Sequence, residues 1–366
     1  MRTFQIAYTG DFLDRSGGVA VGDAGLPELA GVPFVSYRFL IEQAPREGDA
    51  SYWDRFYALE VTPEQLAGVD GLVVLRPGVR GSAFVRGADD LVVIGRSGAG
   101  YDKIDVAACT ANDVALFNAP MALNHSTASA ALLFLLALAK RLPEQDRIAR
   151  AANWGDQARV TGSELPGRTL GIVGLGHSGR EFARLVAPFE MRLLSYSPHA
   201  DPRQAEALGV GLTSLDELLR ESDFVSLHCR LSPETHHLIG ADQLALMKPS
   251  AYLINIARGE VVDQPALVEA LRSRRIAGAG LDVFEVEPVP AGDPLLSLDN
   301  VIITPHWLAS TIDVWQATGR AMAGGMIRAA RGMVPEAVVN REVLDRPGFR
   351  AKLARFAENG ASPFDL

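Results

Sequence analysis

Residues 169–183 read TLGIVGLGHSGREFA, an apolar run that passes through three glycines spaced G-x-G-x-x-G into an amphipathic stretch. Few chain paths need that spacing. Gly174 permits a tight turn out of a buried strand, Gly176 lets the main chain lie against a pyrophosphate, and Gly179 lets the following helix pack closely on the strand. The N-terminus of that helix offers N–H groups and the positive end of its dipole to phosphate charge. Arg192-Leu-Leu-Ser-Tyr196 follows at the distance of a second strand. The segment therefore reads as strand, helix, strand with a dinucleotide at the first turn, rather than as a glycine-rich turn without a ligand.

The acid that commonly binds the adenine ribose of NAD from the end of the second strand is missing, and Ser197 stands there. Its loss removes one repulsion against a 2′-phosphate, and His199 and Arg203 follow closely enough to contact one. NAD and NADP both stay open, with NAD the preferred of the two.

Around this unit the chain alternates strand-like and helix-like runs, and 366 residues suffice for two domains. Phe4 to Tyr8, Gly71 to Leu75, Leu91 to Ile94 and Val114 to Phe117 predict a small parallel α/β unit in the first ~120 residues. Thr62-Pro63-Glu64-Gln65 has the pattern of a helix start, and Ser214-Leu-Asp-Glu217 that of a capping box. Met121 to Leu142 predicts one long buried helix, a hinge into a doubly wound sheet that runs to Ile302-Ile303-Thr304. After Thr311 the pattern is again helical and ends in a polar tail. The expected division is a discontinuous domain of residues 1–120 with 310–366, around a dinucleotide domain of residues 121–309.

Composition narrows the class of function. A net charge of −9 argues against nucleic acid as the main partner, because phosphate neutralisation needs a basic face. The longest apolar run, Ala130 to Ala139, stops at Lys140-Arg141, and the N-terminus lacks a basic-then-apolar signal, so neither a membrane nor an export role is expected. Two isolated cysteines, Cys109 and Cys229, point to a reducing compartment, the cytoplasm, and to neither a disulfide framework nor a metal site.

Three segments of the second half carry groups for one chemistry: Asn255-Ile-Ala-Arg258-Gly-Glu, Gly280-Leu-Asp282-Val-Phe-Glu-Val-Glu287-Pro and Thr304-Pro-His306-Trp307. Each follows a strand-like run, and ligands of doubly wound sheets bind at the carboxyl ends of strands. Reduction of a 2-oxo acid needs a cation for the carboxylate, a proton donor for the carbonyl oxygen and a group that tunes that donor. Arg258 can grip a carboxylate with two parallel bonds. His306 is of the residue type that exchanges a proton near neutrality, and Glu287 against it would favour the charged imidazole and fix its tautomer.

The ordered set GRSGAGYDKID (95–105), GIVGLGHSGRE (171–181), NIARGEVVD (255–263), GLDVFEVEP (280–288) and TPHWLAST (304–311) resembles the D-isomer-specific 2-hydroxyacid dehydrogenases, of the phosphoglycerate and glyoxylate/hydroxypyruvate kind, over roughly residues 70 to 340. The resemblance implies a flavodoxin-like α/β substrate domain with a Rossmann doubly wound parallel sheet, hydride transfer between NAD(P) and C2 of a small anionic D-2-hydroxy or 2-oxo acid, and a homodimer. It implies Arg258, Glu287 and His306 as the catalytic residues. Cofactor contacts are implied at Gly174, Gly176, His177, Ser178, Gly179, Ser197, Cys229, Ala257, Arg258, Asp282, His306 and Ala309. For the substrate it implies the backbone N–H groups of Ala99 and Gly100 together with Arg258 and His306, and Arg76 lies in a loop near the substrate in that fold.

Some residues depart from the family pattern. Besides Ser197, Ser129 stands in the hinge helix where many relatives carry Glu. Arg76 brings a second positive charge that suits either an extra anionic group on the substrate or a plain rim position. Within the enzyme class the alternative is a phosphite-type dehydrogenase; formate enzymes carry Gln at the position of Glu287. The other class is a non-catalytic, NAD-sensing corepressor of the same fold that binds peptides.

Overall fold

Short apolar runs separated by helical stretches favour parallel pairing, since a helix that travels back along the sheet returns the chain to the end where the previous strand began. The computed structural model, which describes residues 1–360, contains two such sheets, and every strand pairing within them is parallel. Packing divides the chain into two units, Met1–Leu123 with the chain from Ser310 onward, and Asn124–Ala309. Positions 361–366 of the expected first domain lie outside the described residues.

The first unit holds β1 (Phe4–Tyr8), β2 (Val35–Phe39), β3 (Gly71–Val74), β4 (Val93–Arg96) and β5 (Ala115–Asn118) in the order β2-β1-β3-β4-β5. That is the flavodoxin-like order. The helix Ile312–Ala330 covers one face, its Met322, Ala323, Met326 and Ala329 buried with Phe4, Val93 and Phe117.

The second unit holds β6 (Thr169–Val173), β7 (Arg192–Tyr196), β8 (Val210–Leu212), β9 (Phe224–Leu227), β10 (Tyr252–Asn255), β11 (Gly278–Leu281) and β12 (Val301–Ile303), ordered β12-β11-β10-β9-β6-β7-β8. Counted from β6 as first, this is the Rossmann order 3-2-1-4-5-6 with one further strand at the edge, and the order in which strands are added reverses between β6 and β9. Both faces are covered, which is why β6, β9 and β11 are buried throughout rather than alternating.

Two local expectations need correction. Thr62–Gly68 is a succession of turns, not a helix. The Gln65 side chain does accept from the Thr62 amide at 2.9 Å, yet only three-residue turn bonds follow and Gly68 at φ +67° ends the segment before an α-helical ladder forms. The long helix runs Pro120–Ala139, and Arg141, in the left-handed region at φ 52°, starts a separate helix at Leu142–Arg150. At 20 residues the first of these is long and apolar enough to cross a bilayer by length and composition. It is instead a core element of the second unit, with Ala128, Ala131, Phe134, Leu135 and Leu138 packed against Ile172, Phe182 and Ile254. Met121 and Leu133 on its other side are exposed. Ser214 caps the Leu215–Glu221 helix as expected, accepting from the Glu217 amide at 3.2 Å.

Candidate active site

The glycine loop leaves β6 between two tight approaches. Gly174 has φ +95°, its amide donates to the Tyr196 carbonyl at 2.9 Å, and a Cβ there would sit 2.7 Å from the Cys229 amide nitrogen. At Gly179 a Cβ would meet the Gly174 carbonyl oxygen at 2.1 Å, so the helix His177–Val186 can approach the strand only with hydrogen at that position. Gly176, the residue before that helix, faces the other way, and a Cβ on it would project into open space. An open main-chain edge at the N-terminus of a ten-residue helix fits a pyrophosphate. Gly179→Val is expected to weaken dinucleotide binding at least tenfold and to cost about 2 kcal/mol of stability through forced separation of helix and strand. Titration of reduced nicotinamide fluorescence beside a thermal melt checks both.

The residues around the loop have distinct environments. His177 is exposed, with Nδ1 3.5 Å from the Arg180 guanidinium. Ser178 Oγ lies 3.3 Å from His228 Nδ1, whose Nε2 lies 3.0 Å from Ser226 Oγ, and the His228 ring stacks on Phe182 at 5.0 Å. Nothing next to His228 in the chain marks it for a role; the signal that could have found it is its place at the end of β9, beside the glycine turn. Burial pushes the His228 imidazole down to about 3, so it is neutral. Cys229, half-buried, has its thiol pushed up to about 11 by burial and stays protonated at neutral pH.

The depressed His228 value has a stability consequence with a definite sign. The unfolded chain takes up a proton near pH 6.5 and the folded one does not, so stability is complete above that pH and is lost as pH falls toward 3. At pH 5 the loss approaches about 2 kcal/mol, a ceiling because part of the residue reaches solvent. His228→Gln is expected to narrow the difference between wild-type melting temperatures at pH 7 and pH 5; an unchanged difference contradicts this.

Ser197 follows β7, half-exposed, and His199 and Arg203 are exposed beyond it. The nearby acid, Asp201, is occupied as the cap of the Pro202–Ala207 helix, accepting from the Arg203 amide at 3.0 Å. No carboxylate thus stands directly after the strand.

The other three segments leave the carboxyl ends of neighbouring strands β10, β11 and β12. The ladder continues one residue beyond them, with Asp282 N donating to Asn255 O and Thr304 N to Leu281 O, each at 3.0 Å. After β12 the chain folds tightly around Pro305: the His306 amide donates to the Thr304 carbonyl at 3.0 Å and His306 has φ +51°, an uncommon conformation for a residue with a Cβ. Asp282 holds it. Its buried Oδ1 accepts from Thr304 Oγ1 at 2.5 Å, Trp307 N at 3.0 Å and Leu308 N at 3.2 Å. Burial pushes this carboxyl up, while those donors and His306 pull it back.

Glu287 faces His306, with Oε2 2.7 Å from Nδ1, and its Oε1 accepts from the Phe284 amide at 3.1 Å. The two carboxylate oxygens are thus divided, one orienting the side chain and the other taking the imidazole Nδ1–H. The tautomer with the proton on Nδ1 leaves Nε2 for exchange with a ligand. Arg258 sits in extended backbone at φ −144°, and its Nη1 donates to the Ala257 carbonyl at 2.7 Å. The buried Asn255 side chain fixes this turn at both ends, accepting from Ala257 N at 3.0 Å and donating to Arg258 O at 2.9 Å. Gly259 then passes so close to Phe284 that a Cβ would fall 1.8 Å from its carbonyl carbon, which locks the Arg258 turn to the Glu287 loop. Ala309 has its carbonyl bonded by Ser126 Oγ at 2.7 Å. Asn255 and Ser126 escape sequence reasoning as site residues, because their partners are main-chain atoms with no side-chain signature.

Ala99, Gly100 and Arg76 belong to the first unit, beyond the carboxyl ends of β4 and β3. Ala99 is exposed and its carbonyl accepts from Asn118 Nδ2 at 2.7 Å. Arg76 is engaged locally. Its amide and Nη1 lie 3.0 and 3.4 Å from the buried Asp11 Oδ2, and its guanidinium lies over the Phe56 and Tyr57 rings at 5.3 and 5.9 Å. Among the described residues no group of three or more His, Cys, Asp or Glu is placed to hold a metal ion.

This combination of a glycine-loop sheet and a His–Glu pair at its carboxyl edge defines a dinucleotide-dependent oxidoreductase. Residues 132–307 match the model of the D-isomer specific 2-hydroxyacid dehydrogenase NAD binding domain. The chain is 40% identical over 296 residues to a glyoxylate reductase of Korarchaeum cryptofilum, covering 80% of this chain and 89% of that one. It is 41% identical over 279 residues to a D-3-phosphoglycerate dehydrogenase of Methanocaldococcus jannaschii, covering 76% of this chain and only 53% of the longer relative. Among solved structures it resembles an NADPH-dependent glyoxylate/hydroxypyruvate reductase of Sinorhizobium meliloti in complex with NADP and malonate, at TM-score 0.75 and 26% identity over 92% of this chain and 96% of that one. The chain belongs to the D-2-hydroxyacid dehydrogenase family. It is an NAD(P)-dependent enzyme that moves a hydride between the nicotinamide and a small 2-oxo or 2-hydroxy acid, and neither the phosphite-type nor the corepressor alternative is favoured.

Proposed function

We propose that this protein reduces a short 2-oxo acid of the glyoxylate class to the D-2-hydroxy acid, with His306 as proton donor, Glu287 as its orienting carboxylate and Arg258 as the carboxylate clamp. The observation that carries this reading is the 2.7 Å His306–Glu287 pair, held by Asp282 on one side and the Phe284 amide on the other, one strand away from the Arg258 turn. When bound, the nicotinamide supplies the hydride that C2 accepts. The carbonyl oxygen takes the proton from His306 Nε2, giving the hydroxyl. Arg258 holds the carboxylate and draws charge from the adjacent carbonyl, which strengthens as that oxygen becomes negative.

The cofactor would be held by Gly174, Gly176 and Gly179 with His177 and Ser178 at the pyrophosphate, Ser197 at the ribose, and Cys229, Ala257, Arg258, Asp282, His306 and Ala309 along the remainder. In this reading the unit of β1–β5 is the substrate domain, and the Ala99 and Gly100 amides are its donors for a substrate carboxylate. Arg76 lies at the same sheet edge, and its Asp11 and aromatic partners suit a wall of that site better than a free anion clamp. Leu133, Leu142 and Trp154, exposed apolar residues of the second unit, support a homodimer formed through it. Two unpaired cysteines suit the cytoplasm.

Initial rates with glyoxylate, hydroxypyruvate, pyruvate and branched 2-oxo acids, each with NADH and with NADPH, test the substrate class. Glyoxylate and hydroxypyruvate are expected to be turned over fastest; exclusive use of a bulky branched acid contradicts the reading.

A further inference from the structure

A second histidine–carboxylate pair uses the carboxylate two residues before Glu287. His237 Nε2 is 2.7 Å from Glu285 Oε1, and the same oxygen accepts from the Gln264 amide at 3.1 Å, while the Glu285 amide donates to Gln264 Oε1 at 3.1 Å. Glu285 thus docks between His237 and the start of the Gln264–Arg272 helix. It stands between Phe284, whose amide holds Glu287, and Glu287 itself. On its main-chain side His237 donates its N–H to the Glu260 carbonyl at 2.8 Å, and Ile239 N donates to Val261 O at 3.1 Å, so the segment runs along the turn that follows Arg258. His237 has φ +51° and stacks on the His236 ring at 4.0 Å. A residue in that conformation is costly and persists only where its surroundings determine it.

We propose that His237 is a positioning residue for the reaction: its side chain fixes the Phe284–Glu287 turn through Glu285, and its main chain fixes the turn after Arg258. The inference rests on His306 and Glu287 being the proton-transfer pair. Its physical content is that Glu287 must meet His306 at one distance, and small misplacements of such groups cost rate more than binding. Loss of the His237 side chain removes one of the two partners of Glu285 Oε1 and leaves Gln264 alone to hold that turn, which loosens it, while the Arg258 clamp, held separately by Asn255, keeps its grip on the substrate carboxylate.

The test compares His237→Asn, which tolerates positive φ but is too short to reach Glu285, with His237→Gln, which keeps a longer donor, in the full chain. His237→Asn is expected to lower kcat about fivefold with KM for glyoxylate within about twofold, and His237→Gln to recover at least half of the lost rate, the size of an ordinary coupling between contacting side chains. Should His237→Asn fail to fold, Glu285→Gln carries the test with the same split expected. An unchanged kcat, a loss carried by KM alone, or no recovery with Gln overturns the proposal. If His306→Asn itself retains full turnover, the parent reading has failed instead, and the two results are separate.

Discussion

His306→Asn is expected to lower kcat by roughly 10³-fold, far more than it weakens binding of the reduced dinucleotide through loss of the one His306 contact, because positioned proton transfer contributes on the order of 10²–10⁴. Asn is the informative choice because it tolerates the φ of +51° that His306 adopts, so the loss reports chemistry rather than collapse of the 304–308 turn. The turn itself is independently pinned by three donors on Asp282. Stopped-flow measurement of the first turnover, with binding followed by fluorescence, separates the two effects. A single-turnover rate within tenfold of wild type rules out His306 as the proton donor.

The second large effect belongs to Arg258. Arg258→Ala removes the cation that the second unit places at the end of β10, and kcat/KM for the 2-oxo acid is expected to fall on the order of 10²–10³, about 3–4 kcal/mol of transition-state stabilisation. Arg258→Lys keeps the charge but not the planar fork, so it is expected to recover only part of the loss, mostly as a raised KM. A Lys variant equal to wild type would show that only charge is used. Binding of the dinucleotide alone measures how far Arg258 also serves the cofactor.

The part of this site that is legible in the sequence is the part whose partners are close in the chain or fixed by backbone geometry. The glycine spacing is a local demand of one turn, and Gly174 and Gly179 meet it at φ +95° and at a 2.1 Å hydrogen-only approach. Arg258, Glu287 and His306 are legible as residue types that follow strand-like runs, but only their ordered set, resembling a family, suggests that residues on three different loops work together. What escapes reading depends mostly on topology. Ser126, His228 and the His237–Glu285 pair act through partners distant in the chain, Ala309, Ser178 and each other, that only the folded second unit brings near. Asn255 acts instead on main-chain atoms two and three residues away that carry no side-chain signature. Thr62–Gln65 misleads because a capping pattern specifies a first turn and not its continuation. β2 does alternate apolar and polar residues, Val35-Ser-Tyr-Arg-Phe39, but only over five residues of an edge strand whose centre is exposed, too short a run to stand out from the flanking loops.

Passage of a hydride from the nicotinamide to C2 of a 2-oxo acid on this scaffold leaves an isotopic and stereochemical trace. Hydroxypyruvate is reduced with nicotinamide cofactor deuterated at C4 on each face in turn, and the product is analysed by mass and by chirality. The expected result is one deuterium at C2 of the D-hydroxy acid from one cofactor face and none from the other. A product of L configuration, or one without deuterium from either face, contradicts it.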